Sequence, residues 1–250
     1  MQRRYGWIKQ KDDPRDRRVL RTFGLVSENL PSSHRIQNGM PPVWDQGETN
    51  SCSAHASGAA YEYMLSKEKL PDFMPSRMFA YYNSRLLEGT EDTDGGATIR
   101  DAVKALVKYG TLPESLWPFS RPYNVKPPSD IYSRALTGVV TSYAALDQDL
   151  ESLKRSIAND QPVIFGFMVP QSFESNEMAR TGVLVIPGPN ESIVGGHAVL
   201  ATGYDDARKM FWIRNSWGPD WGQEGSFEMP YAFITNPKWA SDFWIIQHEN

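Results

Sequence analysis

Along this chain, apolar positions recur first at helical spacing and later in strand-like alternation. Residues 52–70, CSAHASGAAYEYMLSKEKL, cluster small side chains at Ala54, Ala56, Gly58, Ala59 and Ala60 before Tyr63, Met64 and a charged end. This pattern predicts a helix from about Ser51 to Lys67, closely packed because its side chains are short. Residues 75–89 predict a second helix, with Met78, Tyr81, Tyr82 and Arg85 at helical spacing between Pro75 and Gly89. Residues 98–110 predict a third, with Ile99, Ala102, Val103, Leu106 and Val107 in one stripe between Thr98 and Gly110. The Pro-rich run 112–130 reads as extended. Beyond it the period changes. Residues 138–146, 162–170, 181–188, 197–206, 209–218, 225–231 and 240–247 read as strands, with one surface helix over 147–161. Helices followed by strands indicate an α+β fold.

Composition narrows the function. A chain of 250 residues with 40% apolar side chains and eight tryptophans buries a large core, roughly 70–75% of its unfolded surface. A single cysteine, Cys52, rules out an internal disulfide. No run approaches the ~20 apolar residues of a membrane span, and no apolar run follows the basic N-terminal residues as in a signal peptide. This is compatible with the cytoplasm or with export by a route outside this sequence. The net charge of −4 is unevenly spread. Residues 1–27 hold eight basic and three acidic side chains, +5, which leaves −9 for the rest. Such asymmetry marks an arm with its own job or a solvated terminus.

Cys52 sits where the Gly/Asn/Ser-rich turn WDQGETNS meets the first helix. A thiolate that cuts an amide needs a base, a group that orients the base, and donors for the oxyanion. His55 lies one turn along the same helix, behind a nucleophile at its start. His34 lies in an irregular stretch, and His248 near the end. His197 follows Gly195-Gly196 and begins the apolar run AVLATGY, where two glycines permit close backbone approach. Asn215, in IRNSWGPDWGQEG, is placed to accept an imidazole N–H, with Trp217 to cover that bond. Gln46, six residues before Cys52, is placed to donate to the same oxyanion as the Cys52 amide. Each has a bland alternative: a buried cysteine, a strand-capping histidine, a Gly-rich loop, a glutamine in a turn.

Taken together these segments resemble the papain-like cysteine peptidases. QGETNSCS matches the Gln-to-Cys region, GGHAVLATGY the histidine segment, and NSWGPDWGQEG the asparagine segment. Cys52 to His197 spans 145 residues and Cys52 to Asn215 spans 163, the first within the ~130–150 of the family and the second slightly beyond. DGGATIRDAVKALVKYGTLPESLWPF and SIANDQPVIFGF extend the likeness over about 28–250. It implies a two-lobe fold: a helical left lobe over about 45–130, a β-barrel-like right lobe over about 131–250, and the active-site cleft between them. It implies a cysteine endopeptidase with Cys52 as nucleophile, His197 as base, Asn215 as orienter and Gln46 as oxyanion donor. It also implies substrate contacts at Gly95 and Gly96, the latter foremost, and at Gly196 and Trp217. Neither a cofactor nor a metal is implied.

Departures are as informative. Thr49 stands where the family carries a disulfide cysteine, Ser53 replaces the usual tryptophan, and about 27 residues stand ahead of the match in place of a long inhibitory pro-segment. These resemble a disulfide-free bacterial branch. The implied partner is a peptide or protein, with no nucleic acid polymer expected. The basic arm, 1–27, is expected to lie over part of the cleft, drawn by the acidic body, or to bind an anionic, phosphate-bearing ligand. Two other functions use the same residues: a non-catalytic binding module, and an amidase or transpeptidase.

Overall fold

The first helix is short-chained on every side, so neighbours approach it from every side. In the computed structural model, which describes residues 3–19, 29–136, 140 and 142–248, helix α1 (Cys52–Lys67) is buried from Cys52 through Leu65. α2 (Arg77–Glu88) starts two residues later than Pro75 suggests, because the Ser76 side chain caps it by accepting from the Phe79 amide; Gly89, at φ 70°, ends it. α3 (Ile99–Tyr109) is capped by Thr98 and buries Ile99, Ala102, Val103 and Leu106, the expected stripe.

Strands dominate the second half, as the alternation predicts. β1 (Ser33–Arg35), β2 (Ser142–Ala145), β3 (Val163–Pro170), β4 (Ile193–Asp205), β5 (Met210–Arg214), β6 (Ser226–Pro230) and β7 (Ala240–Gln247) form one antiparallel sheet. Its order is β2-β7-β3-β4-β5-β6, with β1 on β4. Among the described residues the ladder stays open between β2 and β6 rather than closing into a barrel. Strand alternation splits the sheet between two cores. Ile164, Ala198, Leu200, Trp244 and Ile246 pack with α1 and α3 residues. Phe165, Phe167, Val199, Phe243 and Ile245 pack in an aromatic core with Phe173, Phe211, Phe227 and Phe233.

Some expectations fail for local reasons. Residues 181–188 are not a strand; only Val183 bridges β6, at Glu228. Ser175 caps a helix ahead of them, α6 (Asn176–Thr181), and Gly182 at φ 61° ends it. Leu184 is buried in the core, but Val185 and Ile186 face solvent, so the run packs through one side chain rather than along a paired strand. Short helices α4 (Ser129–Arg134) and α7 (Tyr231–Ile234) also go unpredicted, while α5 (Leu150–Ala158), capped by Asp149, falls inside the expected 147–161. Of the expected strand 138–146, residues 138, 139 and 141 lie outside the described residues.

Residues 3–19 are ordered against this frame. The Arg17 carbonyl accepts from Ala145, and Asp16 pairs with Arg100 through two bonds of 3.0 Å to Nε. That part-buried pair reverses the expected polarity, an acid of the arm on a base of the body. Arg18–Asp147 and Arg3–Asp45 follow it. Residues 1, 2 and 20–27 of the arm lie outside the described residues.

Phe167 is fully buried between Phe173, Phe227 and Phe233. Phe167→Ala is expected to lower unfolding free energy by about 3–5 kcal/mol, read by denaturant titration. A loss below ~1 kcal/mol would mean that this core is not packed as described.

Candidate active site

The turn before α1 is tied down from both sides. Gln46 donates its amide to the Ser216 carbonyl at 2.9 Å, and Thr49 donates its amide and hydroxyl to the Gln46 carbonyl at 3.2 and 2.8 Å. Gly47 takes the positive φ, 55°, that the turn needs. The helix therefore begins at Cys52, where amides lack intrahelical partners. Cys52 is fully buried, with the amides of Ala198, Gly6, Ser53 and Cys52 itself directed at its sulfur.

On the sheet side, β4 places His197 opposite Phe167 and ahead of Ala198, and β5 ends at Arg214, one residue short of Asn215. The Ser216 amide donates to Asn215 Oδ1 at 2.8 Å, which identifies that atom as the oxygen. His197 Nε2 lies 2.7 Å from the same oxygen, so Nε2 carries the proton. Nδ1 is left as the acceptor, buried and without a hydrogen-bond partner. Trp217 stacks on the imidazole, centroids 5.1 Å apart at 30°. Gln46 is buried. Its Oε1 accepts from Ser216 Oγ at 2.7 Å, and its Nε2 donates to Thr49 O at 2.8 Å and Arg4 O at 3.3 Å.

The four residues expected to carry chemistry are thus gathered with the N-terminal arm among them. Trp7 donates its amide to the Gly196 carbonyl at 2.9 Å; Gly6 accepts from Ala97 at 2.9 Å, and Ile8 donates to Ala97 at 3.3 Å. A Cβ on Gly96 would stand 2.0 Å from the Gly6 carbonyl, and one on Gly196 2.6 Å from the Trp7 carbonyl. Gly96 and Gly196 therefore touch the arm through bare backbone, whereas Gly95 meets only Thr93. Tyr5 packs edge-on to His197 and Trp217, and Arg3 lies over the Trp217 ring.

Burial sets the charges. It pushes the Cys52 thiol up to about 11, partly offset by the Ala198 and Gly6 amides. It lowers His197 to about 4; the bond to Asn215 opposes that, and the Arg3 charge reinforces it. In this state both groups are neutral near pH 7, not an ion pair. His55 has the environment of a structural residue: Nδ1 meets the Ser51 carbonyl at 3.0 Å, Phe119 packs edge-on, and burial lowers it to about 3. His34 pairs with Asp160.

Sequence reasoning missed Tyr5, Gly6 and Trp7, although Y-G-W stands out in a charged arm. It also missed Ser216, which holds both Gln46 and Asn215, and gave no signal for Asp242, which meets Trp7.

Residues 31–236 match the papain family cysteine protease model. A peptidase C1-like protein of Acanthamoeba polyphaga mimivirus is 37% identical over 98% of this chain and 87% of its own length. The chain belongs to the papain family. Among papain-family structures, xylellain, a cysteine protease from Xylella fastidiosa, superposes with a TM-score of 0.91 at 36% identity, covering 100% of this chain and 99% of that one. The procathepsin B S9 of Trypanosoma congolense shares the fold, with a TM-score of 0.79 at 16% identity over 99% and 87% of the two chains. This papain-family chain is a cysteine peptidase, a hydrolase, and its one cysteine leaves it without an internal disulfide. No helix among the described residues is long and apolar enough to cross a membrane.

The neutral thiol has a measurable sign. Thiolate forms only above the thiol pKa, so iodoacetamide labelling of Cys52 in the full chain is expected to be slow at pH 7 and to climb steadily up to about 11. A rate already at its plateau at pH 6 would contradict the buried, neutral thiol.

Proposed function

We propose that this papain-family peptidase hydrolyses peptide bonds through Cys52, His197, Asn215 and Gln46, and that the N-terminal arm holds the cleft closed until it is displaced. With the arm displaced, water re-enters and the desolvation opposing charge falls, so the proton passes from Cys52 to His197 Nδ1. The thiolate attacks the scissile carbonyl carbon. The oxyanion receives hydrogen bonds from the Cys52 amide and from Gln46 Nε2, freed of the Arg4 carbonyl. His197 gives its proton to the leaving amine as the C–N bond breaks. It then takes one from water, which attacks the acyl-enzyme and releases the acid and the thiol.

The observation that carries this reading is the fixed tautomer of His197: Ser216 sets the Asn215 oxygen, that oxygen sets Nε2–H, and Nδ1 is left as the base. Closure by the arm is supported by Gly6, whose amide faces the sulfur while its carbonyl is turned to Ala97.

Peptidase assays on a fluorogenic peptide mixture test both parts. Cys52→Ala is expected to abolish turnover. Trp7→Ala, which empties the arm's anchor, is expected to raise it at least fivefold. Adding Gln46→Ala to Trp7→Ala should lower kcat by about 10²–10³, or ~3–4 kcal/mol. Turnover surviving Cys52→Ala would remove the mechanism; unchanged turnover in Trp7→Ala would remove the closure.

A further inference from the structure

The mechanism leaves one polar cluster beside Asn215 unused. A cavity of about 10 Å³ lies where α1 meets β4, walled by Ala56, Ala59 and Leu200 and lined also by Trp44, His55 and Asn215. Trp44 Nε1, His55 Nε2 and Asn215 Nδ2 are each buried and without a hydrogen-bond partner. An unpaired polar atom is costly to bury, and three around one small cavity call for a shared partner.

Neighbouring bonds fix which of these atoms carry protons. An indole nitrogen can only donate. Asn215 contributes its NH2, because Oδ1 is the atom that accepts from the Ser216 amide. For His55 the answer comes through two hydroxyls. Thr49 Oγ1 donates to the Gln46 carbonyl at 2.8 Å, so in its 2.6 Å contact with Ser51 Oγ the serine is the donor. Ser51 then has no proton left for the imidazole. His55 Nδ1 therefore carries the proton and donates it to the Ser51 carbonyl at 3.0 Å. Burial keeps the ring neutral, which makes Nε2 a bare acceptor. Two donors and one acceptor thus belong to the side chains around the cavity.

One water matches that set. It would accept from Trp44 and from Asn215 and donate to His55, about three hydrogen bonds, as is usual for a buried water. The cavity is at the lower end of the roughly 10–15 Å³ that a single water needs. We propose that this cavity holds one water joining His55 to Asn215, and that His55 is thereby a positioning residue for the His197 imidazole. The proposal rests on the peptidase reading above and adds a residue to it. Asn215 Oδ1 accepts from both His197 and Ser216. The water holds the other end of the amide, so its plane cannot turn while His197 gains and loses a proton. His55 touches none of the reacting atoms in this arrangement and acts only through Asn215.

The test joins a high-resolution crystal structure of the full-length chain to peptidase kinetics in a full-length Trp7→Ala background, the form expected to turn over faster. The structure is expected to show one ordered water within hydrogen-bond distance of Trp44 Nε1, His55 Nε2 and Asn215 Nδ2. His55→Phe keeps a ring and removes the acceptor. It is expected to lower kcat about fivefold, as for one hydrogen bond lost, with KM unchanged. His55→Gln, whose side-chain oxygen can stand near the place of Nε2, should recover most of that loss. Added to Asn215→Ala, His55→Phe should have no further effect on kcat. A wild-type map without that water would overturn the proposal, whether or not His55→Phe folds. So would an unchanged kcat in His55→Phe, or an equal fall with and without Asn215, and each of these leaves the peptidase reading standing. Absence of cleavage together with failure of Cys52 to react with an epoxysuccinyl peptide would overturn the peptidase reading, and the positioning role with it.

Discussion

The packing of α1 against β4 governs the site, because Cys52 opens the helix, His197 lies on the strand, and 145 residues separate them in sequence. Ala56, Ala59 and Ala60 of the helix share a core with Ala198 and Leu200 of the strand. Small side chains on both surfaces let the two backbones come close enough for the Ala198 amide to reach the Cys52 sulfur. Larger residues at these positions would push the sulfur away from the strand that carries the histidine, whatever became of the turn around Gln46. Ser216 couples the two sides again. It accepts the Gln46 amide, donates its hydroxyl to Gln46 Oε1 and donates its own amide to Asn215. Gln46 and Asn215 are thereby held by one residue.

The arm exploits the bare backbone at the cleft. Gly96, Gly166 and Gly196 leave no side chain between the arm and the two walls, so Gly6 and Trp7 bond to Ala97 and Gly196 as an added strand would. The consequence is electrostatic as well as steric. Covering the site removes water from both ionisable partners, raising the thiol and lowering the imidazole, so a pair suited to exchange a proton stays neutral while covered.

Much of this was legible in sequence, and for identifiable reasons. The small-residue run fixed α1, the 3.6-residue stripe fixed α3, and apolar runs bounded by turn residues placed β3, β4 and β7, since each pattern reports how an element is buried. Cys52, His197 and Asn215 were recognisable because each stands in a motif whose neighbours also have work: glycines before the histidine, tryptophan beside the asparagine. Other features depend on pairing that no local pattern encodes. Asp242 acquires its direction from a bulge defined by register with β3, and Ser216 matters through partners at 46 and 215. The charge imbalance of the arm pointed to the body but not to the manner of docking. Backbone bonds, an indole and the reversed Asp16–Arg100 pair seat it, rather than bulk attraction. Residues 181–188 misled because within that apolar run Leu184 is buried while Val185 and Ile186 face solvent.

In the proposed mechanism the arm and a bound peptide compete for the same backbone groups beside the Cys52 sulfur. Amide hydrogen exchange over residues 5–10, read by mass spectrometry on the full chain, tests it most directly. The amides of Trp7, Ile8 and Gln10 are bonded to Gly196, Ala97 and Asp242, so they should be protected in the free chain. They should lose that protection once a peptidyl epoxide occupies the cleft and alkylates Cys52. Fast exchange of these amides in the free chain, or protection that persists after the sulfur is modified, would contradict it.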